Sequence, residues 1–166
     1  MKKNDDTVLV LTTGGTIDKQ YFDALSEFQI ADTAVRKLLV VARVTHPHHV
    51  EELLRKDSLD LVDEDRERIV EYVQQAVQTK IVVTHGTDTM TLTAAALAKI
   101  PNKTIVLTGA LTPARFAESD AAFNLGMAFA TAQTAPAGVY IAINGSVFRW
   151  DEVVKDRQLG QFVRKV

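Results

Sequence analysis

Five short runs rich in Val, Ile and Leu recur along this chain, at residues 7–12, 39–44, 81–84, 104–108 and 139–143. Each is apolar in succession rather than at alternate positions. A strand with one wet face alternates apolar with polar residues, whereas a continuously apolar run must be covered on both faces. That is the pattern of a parallel sheet held between helix layers. The intervening segments supply the helices. Residues 63–77 place Ile69, Val70, Val73, Ala76 and Val77 on one stripe, with Asp63, Glu64 and Asp65 in the first turn. Carboxylates there favour the positive end of the helix dipole. Residues 89–99 are rich in Ala and Leu and stop before Pro101; residues 118–133 are again Ala-rich and are followed by Pro136 and Gly138. Strands alternating with helices build βαβ units. The expected fold is α/β, an open and mostly parallel sheet flanked by helices. The stretch 151–166 is charged without a clear period and reads as a terminal helix or a partly ordered tail.

With 166 residues the chain suits one domain, 1–166, able to bury a core without staples. It contains no cysteine, which excludes a thiol nucleophile, a disulfide framework and thiolate metal sites together. The net charge of −2, with both signs mixed, gives no reason to expect a nucleic-acid partner. The apolar run that follows Asp5 and Asp6 is too short for a signal-peptide core. Nothing approaches the roughly 20 apolar residues of a spanning helix. These features lead to the expectation of a soluble, cytoplasmic protein that does not enter a membrane.

In an open parallel sheet, ligands bind beyond the carboxyl ends of the strands. The residues that directly follow each apolar run are therefore the informative ones, and two places stand out. One is Thr12-Thr13-Gly14-Gly15-Thr16-Ile17-Asp18 and the other is Thr84-His85-Gly86-Thr87-Asp88-Thr89. Paired glycines after a strand allow positive φ and close approach of backbone to a ligand, with the Thr16 hydroxyl presented beside backbone N–H groups. The same residues also serve as a plain strand-to-helix turn capped by Thr16. Neither a dinucleotide fingerprint nor a P-loop is present. In the second cluster, Asp88 suits a helix cap, yet a hydroxyl and a carboxylate at the strand end also suit chemistry. Thr87 can polarise a reactant and Asp88 can receive an ammonium.

Thr13-Gly14-Gly15-Thr16-Ile17 together with His85-Gly86-Thr87-Asp88-Thr89-Met90 resembles the bacterial-type L-asparaginase family. Val106-Leu107-Thr108-Gly109-Ala110, Pro113, Ser119-Asp120 and Phe123-Asn124-Leu125 follow in the order of that family's third motif. The resemblance runs from Val8 to about Lys155 and covers the family's N-terminal domain, with its Rossmann- or flavodoxin-like layering. It implies hydrolysis of L-asparagine to L-aspartate and ammonia, with no cofactor, through an acyl-enzyme on Thr16. A threonine hydroxyl needs a neighbour to remove its proton. Tyr21, in the segment after the nucleophile, inherits that part. Thr87 and Lys155 resemble the second catalytic threonine and the lysine, with Asp88 balancing the lysine charge and taking the substrate's α-ammonium. Gly15, Ser58 and Ala110 complete the implied substrate site: Ser58 holds the α-carboxylate, and the Ala110 carbonyl lies by the scissile amide. Leu59 stands where many relatives carry a polar residue. The longer members have a second domain, so the chain resembles the short-chain enzymes, and a homo-oligomer (dimer or tetramer) is expected to cover the open site.

Two other readings share these residues: an amino-acid-binding module of low activity, and an amidohydrolase preferring glutamine or another small amide. His46-Pro47-His48-His49 is a possible metal ligand set, but a turn through Pro47 is the plainer reading and no metal is expected. His85 is expected to make a structural hydrogen bond rather than act as a base.

Overall fold

The structure is a computed structural model that describes residues 6–166; the charged start, residues 1–5, lies outside the described residues. In chain order the elements are β1 (Val8–Gly14), β2 (Lys19–Phe22), β3 (Glu27–Ile30), α1 (Val35–Val41), β4 (His48–Lys56) and α2 (Asp63–Gln75). There follow β5 (Lys80–Thr84), α3 (Met90–Leu97), β6 (Thr104–Thr108), α4 (Ala121–Thr134), β7 (Gly138–Ile143), β8 (Ser146–Arg149), β9 (Val153–Asp156) and β10 (Gln161–Arg164).

The main sheet has six strands in the order β4-β1-β5-β6-β7-β8, all parallel except β8, which returns antiparallel on β7. Counting only the parallel strands, this is the 2-1-3-4-5 order. Its connections leave β1 in opposite directions, so a crevice opens between the ends of β1 and β5. The apolar runs fill both faces. Leu9, Leu11, Ile81, Val83, Ile105 and Leu107 face Ile69 and Val73 of α2 and Met90, Ala94 and Leu97 of α3. Val8, Val10, Val82 and Val106 face Val35 and Leu39 of α1 and Leu125, Ala128 and Phe129 of α4. Each of the Val, Leu, Ile, Met and Phe side chains among them contributes roughly 1.5–3 kcal/mol on burial.

Three expectations need correction. Residues 39–44 are not a strand: α1 runs to Val41, with Val35 and Leu39 buried one turn apart while Val40 and Val41 face outward. The second parallel strand is β4, an edge strand in which only Val50 and Leu54 are buried. The helix expected over 118–133 starts three residues later, because Asp120 turns back to accept the Leu111 and Thr112 N–H groups. Residues 151–166 are neither helix nor tail but the β9–β10 hairpin, anchored by buried Val153 and half-buried Phe162. Among the described residues no helix is long and apolar enough to cross a membrane.

Candidate active site

Gly15, at φ 84°, lies so close to the next loop that a Cβ on it would come within 2.4 Å of the Gly86 nitrogen. Only glycine fits both the angle and the space. The turn after β1 is therefore pressed onto the turn after β5. It is held by Gly15 N–H donating to the Lys56 carbonyl (2.9 Å) and the Thr13 hydroxyl donating to the Thr84 carbonyl (2.7 Å). Gly86 in turn leaves room for Ser58, whose Oγ lies 2.6 Å from where a Gly86 Cβ would sit. Three loops thus meet at the crevice that the strand order opens. They wall an open cleft of about 780 Å³, lined among others by Thr16, Lys19, Phe28, Asp57, Ser58, Thr87 and Asp88.

Lys155 reaches this place from 68 residues away. On β9, its ammonium donates to the Thr87 hydroxyl at 2.8 Å and to Asp88 Oδ1 at 2.6 Å. Because Lys155 fills a lone pair on Thr87 Oγ1, the Thr87 proton is left to point elsewhere, and the adjacent positive charge favours an alkoxide-like oxygen. No described residue donates to Asp88 Oδ2, and none pairs with the Thr16 hydroxyl. Both residues line the cleft. Ser58 Oγ is likewise buried without a partner; the other unpartnered buried hydroxyls, on Thr12, Thr84 and Thr108, lie within the sheet.

Not every expected residue is brought to the cleft wall. Tyr21 is 45% exposed on β2, opposite Phe28, with ring centroids 5.2 Å apart, and it is Phe28 that lines the cleft. Ala110 is buried against the α4 side of the sheet, beside Gly109, whose carbonyl accepts from Asn124 Nδ2. The residues that the motif reading passed over are Lys19 and Phe28, which belong to the ribbon after Thr16. Their only sequence signal is proximity to Thr16.

His85 is fully buried between the Gly86 carbonyl (2.7 Å from Nδ1) and the Thr93 hydroxyl (2.7 Å from Nε2). A carbonyl only accepts, so Nδ1 carries the proton and Thr93 donates to Nε2. Burial pushes its pKa down to about 4, leaving a neutral ring engaged at both nitrogens. The structural role expected for His85 is the one observed. The histidines at 46 and 48 set their rings edge-on against Phe129, and His49 approaches Glu51.

Asp18 ends the short 3-10 turn that begins at Thr16, and it is buried. Its Oδ1 accepts the Ala34 N–H (2.8 Å) and the Thr33 hydroxyl (3.1 Å), tying the turn that carries Thr16 to the start of α1. Burial outweighs those donors and pushes its carboxyl from 3.8 up to about 6. The folded protein therefore holds this proton more tightly than the unfolded chain, and the Asp18 contribution to stability falls as pH rises from about 4 to 6. Asp18→Asn keeps an oxygen for Ala34 and carries no charge. In denaturant unfolding its advantage over the parent is expected to grow across that interval and then level off, on the order of 3 kcal/mol at most. A difference independent of pH would contradict the assignment.

The asparaginase N-terminal family model matches residues 7–159, which includes every loop of the cleft. The chain belongs to the asparaginase family. Within that family it is 33% identical over 163 residues to the L-asparaginase of Thermococcus kodakarensis, covering 92% of this chain and 48% of that one. The glutaminase-asparaginase of Acinetobacter glutaminasificans is 29% identical over 167 residues, covering 90% and 50%. The solved structure of the thermostable Thermococcus kodakarensis L-asparaginase superposes with a TM-score of 0.84 at 30% identity, covering 95% of this chain and 51% of that one. The chain spans about half the length of these asparaginase-family relatives.

Proposed function

We propose that this chain, as a single catalytic domain, hydrolyses the side-chain amide of L-asparagine through an acyl-enzyme on Thr16. The observation that carries this reading is the contact of Lys155 with Thr87 and Asp88 on the cleft that also exposes Thr16. The Thr16 oxygen attacks the amide carbon, its proton passes to a base, and ammonia leaves with a proton to give an ester. Water, polarised by Thr87 and Lys155, then cleaves that ester to aspartate and restores Thr16. The Thr87 N–H, which no described backbone group accepts, is one donor for the oxyanion. Asp88 Oδ2 takes the α-ammonium. Tyr21 acts as the base only if the β2–β3 ribbon folds inward. That ribbon is a separate two-stranded sheet, hydrogen-bonded to no strand of the main one.

Hydroxylamine tests the covalent step. Added to the reaction, it is expected to divert the ester to aspartyl β-hydroxamate, in competition with water. Ammonia release at full rate with no hydroxamate would rule out the acyl-enzyme. The amide preferred is part of the proposal, since one methylene changes discrimination by only about 1–3 kcal/mol. Tyr21 lying off the cleft favours a second reading, an amino-acid-binding domain of low activity. Tight asparagine binding without ammonia or hydroxamate would select it. We also propose a symmetric homo-oligomer that closes the open cleft, which light scattering of a fully active monomer would overturn.

A further inference from the structure

Among the described residues three cations line the cleft, Lys19, Arg55 and Lys56, and their partners separate them. The Lys56 ammonium is held by both oxygens of Asp65, at 2.7 and 3.0 Å, and Asp65 sits on α2 outside the cleft wall. Arg55 is turned to Glu52 and is half exposed. Lys19 is different. Its ammonium meets Asp57 Oδ2 at 2.8 Å, and Asp57 itself lines the cleft immediately before Ser58. One of its three N–H donors is occupied and two remain.

Ser58 offers a buried hydroxyl with no partner, which is one donor for a carboxylate that has two oxygens. The backbone donor next to it is already used, because Leu59 N–H donates to Asp57 Oδ1 at 3.1 Å. The Leu59 side chain is apolar and cannot supply another. Lys19 lies at the end of the 3-10 turn that starts with Thr16, its own N–H donating to the Thr16 carbonyl. The nucleophile and this ammonium are thus carried on one turn.

We infer that Lys19 is a substrate-binding residue whose ammonium, steadied by Asp57, joins the Ser58 hydroxyl in holding the α-carboxylate of the amino-acid amide. This rests on the proposed function. It gives the cleft a cation for the carboxylate at the Ser58 wall and an anion, Asp88, for the ammonium at the Thr87 wall. It also explains how a chain with Leu59 at that position can still fix the carboxylate, through a charge in place of a neutral hydrogen bond.

The test is a binding titration with the full chain carrying Thr16→Ala, so that no turnover intervenes. Adding Lys19→Met is expected to weaken L-asparagine about 10- to 100-fold and to change L-asparagine methyl ester, which lacks the carboxylate charge, by less than about threefold. Lys19→Arg is expected to keep the asparagine affinity within a few-fold. Equal losses for asparagine and its ester would make Lys19 a mere tie between the ribbon and Asp57, and overturn the inference. So would undiminished asparagine binding in Lys19→Met, or no asparagine binding before Lys19 is changed. Failure of the proposed function reads out separately, as absence of ammonia release by the unmodified chain.

Discussion

Thr16→Ala is expected to lower asparagine turnover by about 10³-fold or more, with no measurable change in folding. The first part follows from chemistry: without the hydroxyl no ester can form, and water would have to attack an unactivated amide. The second follows from the structure. The Thr16 hydroxyl bonds to no described residue, and the turn is held by Gly15, Asp18 and their partners instead. Stability should stay within about 0.5 kcal/mol, as for a side chain outside the core. Kinetics and thermal unfolding of the same preparation check both halves. A variant that keeps a tenth of the activity would remove Thr16 as the nucleophile.

Lys155→Met is the second large effect. Methionine keeps most of the stem but offers no N–H donor, so Thr87 and Asp88 lose the contacts at 2.8 and 2.6 Å. If Thr87 acts only when Lys155 lowers the cost of its alkoxide, kcat should fall by about 10²- to 10⁴-fold. Asp88 is then left as a partly exposed carboxylate without its partner, with a cost to stability of about 1–3 kcal/mol. The substrate ammonium can replace part of that charge, so KM should change much less than kcat. A loss confined to KM would mean that Lys155 shapes the site without entering the chemistry.

The parts of this site that were legible in the sequence are those fixed by strand ends. Thr16 and Thr87 follow two strands that are buried up to their carboxyl ends, and the switch in connection between β1 and β5 places both at one crevice. Lys155 was legible only through the family pattern, because its neighbours Asp151, Glu152 and Asp156 read as a solvated charge run. What the pattern could not show is that Val153, two residues earlier, is buried and seats the strand. The terminal turn is equally local once seen: Asp156 Oδ1 accepts the Gln158 and Leu159 N–H groups, and Gly160 takes φ 62°.

The misplaced second strand has a different cause. Residues 39–44 carry the β-branched residues, but burial there follows the helical spacing of Val35 and Leu39. The true strand, β4, is an edge strand rich in His, Glu, Arg and Lys, because much of it faces solvent. Burial overrides residue preference in both segments. The β2–β3 ribbon, which moves Phe28 rather than Tyr21 onto the cleft, is set by tertiary packing on Phe116 and by the Asp18 ties that no local pattern encodes.

The most direct test of the central claim is ammonia release by the purified chain alone, with L-asparagine and L-glutamine side by side and Thr16→Ala as control. Asparagine turnover that disappears in the control is the expected result, and it would establish the reaction, the nucleophile and the sufficiency of this one domain together. Release from neither amide, by a folded chain, would contradict the claim.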